Sequence, residues 1–115
     1  MSDSQKRHNM IGAAASINRA RVKIIQTCRN YTDDQSRFST LTAEHHFLHV
    51  LYLQMAQAIA SSDESVFAVA TSVLKNNAQA LTDITNSIMV MVEDGDAVTS
   101  IVNDIGTAAK FIGTL

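Results

Sequence analysis

Apolar residues recur at spacings of three and four along nearly the whole chain, from Met10 to Leu115, and divide it into four helical stretches. The first begins near Ser4 or Met10 and ends about Tyr31. Its stripe is Met10, Ala14, Ile17, Ile24, Cys28 and Tyr31, with Ile11, Val22 and Ile25 on one flank. At about 100° per residue these positions cover well over half of the circumference, more than a helix with a single buried face requires. The width predicts that something beyond one intramolecular core meets this helix.

The second stretch spans Leu41 to Ala60, with Phe47, Leu48, Leu51, Tyr52, Met55, Ala58 and Ile59 as its stripe. Val50 and Leu53 stand on its other side, among Thr42, His46 and Gln57, and make a small apolar patch on a polar face. A polar loop, Thr32 to Thr40, precedes it. Thr40 or Thr42 is the expected cap, with Glu44 in the first turn opposing the helix dipole. The third stretch runs from Asp63 to Val92, opened by a Ser61-x-x-Glu64 capping box. Its seam reads Val66, Ala70, Val73, Asn77, Ala80, Ile84, spaced as a heptad. Gly95 and Asp96 then stop one helix and start the next. The last stretch, Ala97 to Ile112, buries Val98, Ile101, Val102, Ile105, Ala108, Ala109 and Ile112.

Connections as short as those at 61–64 and 94–96 force neighbouring helices to run antiparallel. The expectation is therefore all-α: an antiparallel up-down bundle of about four helices, one domain over residues 1–115, with residues 1–9 a polar N-terminal tail. The rival is an elongated helical hairpin whose core is completed by oligomerisation.

Composition sharpens this picture. There is no proline, where a chain of this length carries about six at ordinary usage. Charged residues make up 17% of the chain, and the 34 serines, threonines, asparagines and glutamines outnumber the 20 charged side chains. Small neutral polar groups are cheaper to desolvate than charges, which favours a surface that meets partners. The single Cys28 excludes an intramolecular disulfide framework. Met1 to Asn9 has no apolar signal-peptide core, and the charge-free run from His45 to Ser62 is interrupted by polar residues, so the expected location is cytoplasmic with no membrane span. Residues 1–31 hold six basic and one acidic residue; residues 32–115 hold three basic and ten acidic. Such asymmetry suits a nucleic-acid arm or a basic helix packed beside acidic ones. Arg19, Arg21, Lys23 and Arg29 share no single face and only Tyr31 offers stacking, so no nucleic-acid partner is expected.

Candidate chemistry is sparse. His45 and His49 stand one turn apart in Glu44-His45-His46-Phe47-Leu48-His49, a spacing that lets two imidazoles address one divalent metal. A third ligand is not evident, and no cofactor is expected. Three histidines within five residues also suit an assembly that loosens in acid. Arg21 interrupts the first helix's stripe and calls for a partner, across an interface or in Glu44. Asn77 occupies a seam position, where a lone asparagine sets register and oligomeric state. No glycine-rich phosphate loop and no converging carboxylates are present, so the chain is not expected to be an enzyme.

Leu41-Thr42-Ala43-Glu44-His45-His46, followed by aliphatics, resembles the start of a helix in the N-terminal repeats of Clp-type unfoldases. The likeness covers six residues, alanine replaces the usual proline at position 43, and no second copy follows, so it assigns no family. In composition and size the chain is similar to small, proline-poor helical proteins that polymerise, such as R-body subunits.

The expected function is a non-enzymatic subunit that self-associates, with Ile11, Arg21, Val22, Ile25, Val50 and Leu53 as its interface. One alternative is a small adaptor or secretion-type chaperone that binds another protein's helix. The other is a metal-binding bundle built on His45 and His49. The expected partner is thus a second copy or another helical protein.

Overall fold

The computed structural model describes residues 3–115, and within them the chain is all-helical with no strand. Five α-helices follow in order: α1 (Asp3–Cys28), α2 (Gln35–Ala60), α3 (Glu64–Asn76), α4 (Ala78–Met91) and α5 (Gly95–Gly113), with a single 3-10 turn, Arg29–Tyr31, after α1. The molecule measures 46 × 20 × 19 Å. Its length fits helices of 26 residues, each about 39 Å at 1.5 Å per residue.

α1 is the central element. It packs along α2 on one side and along α5 on the other. Against α2, Arg7 reaches the carbonyls of Ala58 and Ile59, the Arg21 carbonyl meets His45, and the Cys28 thiol meets Phe38 and Thr42. Against α5, Asn9 bonds Thr114, Gly12 lies under Phe111, and Lys23 meets Asp104. Partners therefore descend along α2 and α5 as the number rises along α1. Ten residues of α1 are buried, among them Ala13, Ala14 and Ala20 between the larger Met10, Ile17 and Ile24. Alanines let two neighbouring helices approach closely, and glycine goes further: a Cβ at Gly12 would sit 2.7 Å from the Phe111 ring. The breadth of apolar surface on this helix is largely filled from within the chain. A second copy is not required to explain it.

The chain's start corrects the expected polar tail. Residues from Asp3 onward are already helical, Asn9 is buried, and its amide donates to the Thr114 hydroxyl at 2.8 Å. Arg7 donates to two carbonyls in the last turn of α2, where a cation satisfies orphaned acceptors and the helix dipole together. Met1 and Ser2 lie outside the described residues.

The joints also differ from expectation. The slack loop expected over 32–40 shrinks to 32–34, because Asp34 caps α2 by accepting from the Arg37 amide at 3.2 Å. Gln35 to Thr40 is helical though it lacks apolar periodicity. Helix α3 is capped by Asp63, whose carboxylate accepts from the Ser65 amide and hydroxyl, instead of by a Ser61–Glu64 box. Asp94, not Asp96, caps α5, and Gly95 is its first residue, not a helix stop. In each case an aspartate directly ahead of the first turn outcompetes the expected signal, since its carboxylate reaches two or three residues along to an unpaired amide.

The long third helix is in fact two, divided at Asn77. Its buried line is Ala70, Leu74, Leu81, Ile84 and Ile88, while Val66 is exposed and Val73 and Ala80 are half-buried. The expected seam was one residue early at alternate positions. Leu74, Leu81 and Ile88 form the seven-residue repeat, and burial follows these larger side chains over Val73 and Ala80.

Candidate functional site

Of the residues singled out for partner contact, Ile11 and Arg21 lie where α1 meets α2, while Val50 and Leu53 are exposed on α2. Ile11 is 49% exposed, Val50 40% and Leu53 47%. Ile11 lines a shallow groove of about 520 Å³ with Ala15 and Asn18 of α1 and Tyr52, Ala56 and Ile59 of α2. Nothing in its lining carries a charge. Leu53 stands beside Tyr52 in sequence, and Val22 is half-buried farther along α1. Ile25, also expected at the interface, packs against the core.

Arg21 sits where the two helices meet. Its Nε donates to Asn18 Oδ1 at 2.8 Å and its guanidinium lies 5.9 Å from the centre of the Tyr52 ring. Its partner is not Glu44. Glu44 faces the other way: Oε1 accepts from the Ser87 hydroxyl of α4 at 2.6 Å, and Oε2 has no hydrogen-bond partner. Burial raises the Glu44 pKa above its ordinary value, and the Ser87 bond offsets part of that.

The histidine pair lies at the same level as Arg21. The rings of His45 and His49 stack with centroids 6.0 Å apart and 22° between planes. Nδ1 of His45 is 3.0 Å from the Arg21 carbonyl, so that nitrogen is occupied as a donor in the neutral ring. Nδ1 of His49 is buried without a partner. Desolvation lowers the pKa of His49, and the charges of Arg21, His45 and His46 lower it further. A divalent ion at this pair would face the same Arg21 charge. Among the described residues no group of three or more histidines, cysteines or carboxylates is placed to hold a metal ion.

Asn77 lies at the break between α3 and α4. Its side-chain amide donates to the Val73 carbonyl at 2.7 Å, and its backbone N–H bonds the carbonyls of Val73 and Leu74. The side chain is therefore engaged within its own helix.

Charge pairing joins two of the six basic residues in 1–31 to the acidic remainder of the chain. Lys23 and Arg19 of α1 both pair with Asp104 of α5, at 2.6 and 3.5 Å. Arg37 bridges Asp34 and Glu93, and the Glu93 amide donates to the Tyr31 hydroxyl, so the α1–α2 joint is tied to the α4–α5 joint. Sequence reasoning missed the role of Arg37 because one arginine in a polar run carries no periodic signal. The Cys28 thiol is buried against Phe38 and Thr42, inside the fold as its place on the apolar stripe implied.

No helix among the described residues is long and apolar enough to cross a membrane. No family model, no curated protein and no solved structure matches the chain.

Proposed function

We propose that this chain is a non-enzymatic structural subunit that associates with copies of itself through the outward α1/α2 face. In this reading the protomer is an antiparallel up-down bundle of four arms, α1, α2, the broken α3–α4 arm and α5. The observation that carries the proposal is the uncharged groove along Ile11, Tyr52 and Ile59, with Leu53 exposed next to Tyr52 in sequence. Burying such a lining against a like surface removes apolar area from water and strands no charge. Arg21 over Tyr52 supports the reading, since arginine and tyrosine are favoured at the centres of protein interfaces.

Sedimentation velocity at micromolar concentration tests it. The expected result is a species heavier than the 12.5 kDa chain. Leu53→Glu and Ile11→Glu should each shift the population toward the monomer with helicity unchanged. A clean monomer for the unmodified chain overturns the proposal, and an oligomer indifferent to both substitutions overturns the assignment of this face.

A further inference from the structure

α3 and α4 form one arm, but they are held unequally. α3 buries only Ala70 and Leu74 of its 13 residues and leaves Val66 and Val69 exposed. α4, with 14 residues, buries Leu81, Ile84 and Ile88. Its Ser87 hydroxyl is bonded to the buried Glu44, and the joint that follows it is tied to the α1–α2 joint by Arg37 and Tyr31. α3 reaches α1 through the Phe67 ring, which the Arg7 guanidinium covers at 5.0 Å.

The packing beneath α3 is incomplete. No Cα of α3 comes within 8 Å of one in α1. A cavity of about 400 Å³ lies between Lys6 and Arg7 of α1 and Phe67, Ala68 and Thr71 of α3, with Leu115 also in its lining. The Thr71 hydroxyl is buried there without a hydrogen-bond partner. An unfilled space and an unpaired buried hydroxyl both cost the closed state, and both costs vanish when water enters. The chain can also turn at either end of this helix. Residues 61–63 ahead of it are non-helical, and Ser61 and Asp63 are extended. Behind it, Asn77 departs from helical geometry at φ −103° and ψ 12°, which separates α3 from α4. A few residues of this kind suffice as hinges.

We propose that α3 is a hinged flap, which swings out about residues 61–63 and Asn77 and opens the cavity beside α1 while α4 stays seated. The free energy of this motion is set by what it exposes, chiefly two buried side chains and one ring contact. Segments with so little buried surface open far more often than the whole molecule unfolds. The break at Asn77 is what confines the motion to α3, since an unbroken helix would have to carry Leu81, Ile84 and Ile88 out with it. α3 contributes no residue to the α1/α2 groove, so the flap and the self-association proposed above stand or fall separately.

The test is amide hydrogen exchange on the folded full chain at pH 7, followed residue by residue by NMR. The amides from Ala70 to Lys75 should share one opening constant, about tenfold larger than that of Thr82 to Ile88. Low concentrations of urea should raise it little, because the opening exposes little surface. Phe67→Leu removes the ring under Arg7 and should enlarge the α3 constant about threefold while α4 is unchanged. Asn77→Leu joins the two helices and should bring their constants to within about twofold of each other. Equal protection of α3 and α4 in the unmodified chain overturns the proposal. So does a Phe67→Leu effect spread equally over both helices, which would make the arm a single rigid body. A tenfold difference that survives Asn77→Leu overturns Asn77 as the hinge.

Discussion

α1 and the α3–α4 arm contain nearly the same number of residues, yet the fold treats them in opposite ways. α1 buries ten of its 26 residues between α2 and α5 and is tied near its start by Arg7 and Asn9 and toward its end by Lys23. The α3–α4 arm buries five residues along one line, leaves Val69 and Val90 at 64% and 81% exposed, and is interrupted at Asn77. The amphipathic pattern in sequence is sharper in the arm than in α1. Amphipathicity is a signature of one-sided burial, so it is strongest where a helix lies on the outside and weakest where neighbours press from two sides.

This contrast is broken most severely by crowding α1. Ala20 is fully buried, and Ala20→Leu adds three heavy atoms where two helices close on it. Overpacking of that kind costs about 1–3 kcal/mol, which urea denaturation would read as a lower midpoint at unchanged slope. Ala70→Leu in α3 is the matched control: the alanine is also buried, but on an arm with fewer neighbours, and the expected loss is under about 1 kcal/mol. Equal losses would mean that the arm is as tightly enclosed as α1.

Next in size is Asn77→Leu. It removes the side-chain bond to the Val73 carbonyl, which keeps the Asn77 backbone N–H as donor. It also places a leucine between Leu74 and Leu81 on the buried line and restores a better helix former at the break. The melting temperature should rise by about 2–5 °C. If Asn77 also sets register between copies, the mass distribution in sedimentation velocity should broaden in the same variant. A fall in melting temperature would show that the break itself is required by the packing of the arm.

How far these features were legible follows from their physics. The helical class and the core positions Met10, Ile17, Ile24, Leu48, Met55, Ile101 and Ile105 follow from periodicity. The pattern of α1 recorded two neighbours, but a width of apolar surface does not say whether the second neighbour belongs to the same chain. The start of α2 was invisible because Gln35 to Thr40 forms two turns with almost no apolar content, held by the Asp34 cap and the reach of Arg37 to Glu93. The break at Asn77 was hidden by a heptad that continues through it. The cluster of Arg21, Tyr52, His45 and His49 was readable only as separate oddities, since the level at which α1 meets α2 depends on the three-residue loop at 32–34. Ser87 as the partner of Glu44 had no signal at all, being one small polar residue among many.

The finest probe of the comparison uses Glu44 and His49, two titratable residues of α2 that each carry a buried unpaired atom and are shifted in opposite senses. Burial raises the pKa of Glu44, so its ionised form disfavours the folded state. The penalty is absent below the ordinary carboxylate pKa of 4.5, grows as the pH rises toward the raised native value, and is constant above it. Glu44→Gln should therefore melt higher than the unmodified chain at pH 7, with the advantage vanishing as the pH falls to about 4. His49 behaves in reverse. Its pKa is lowered from 6.5, so the folded state favours the neutral ring, and stability drops as the pH falls below 6.5 until the native group protonates as well. His49→Gln should flatten that part of the profile between pH 7.5 and 5.5 by a smaller margin, because the ring is partly exposed and solvent screens Arg21. The two pH profiles then report separately on the α2/α4 and α1/α2 sides of one helix. A His49→Gln profile parallel to that of the unmodified chain would show that Arg21 and the stacked His45 leave the His49 ring free to charge.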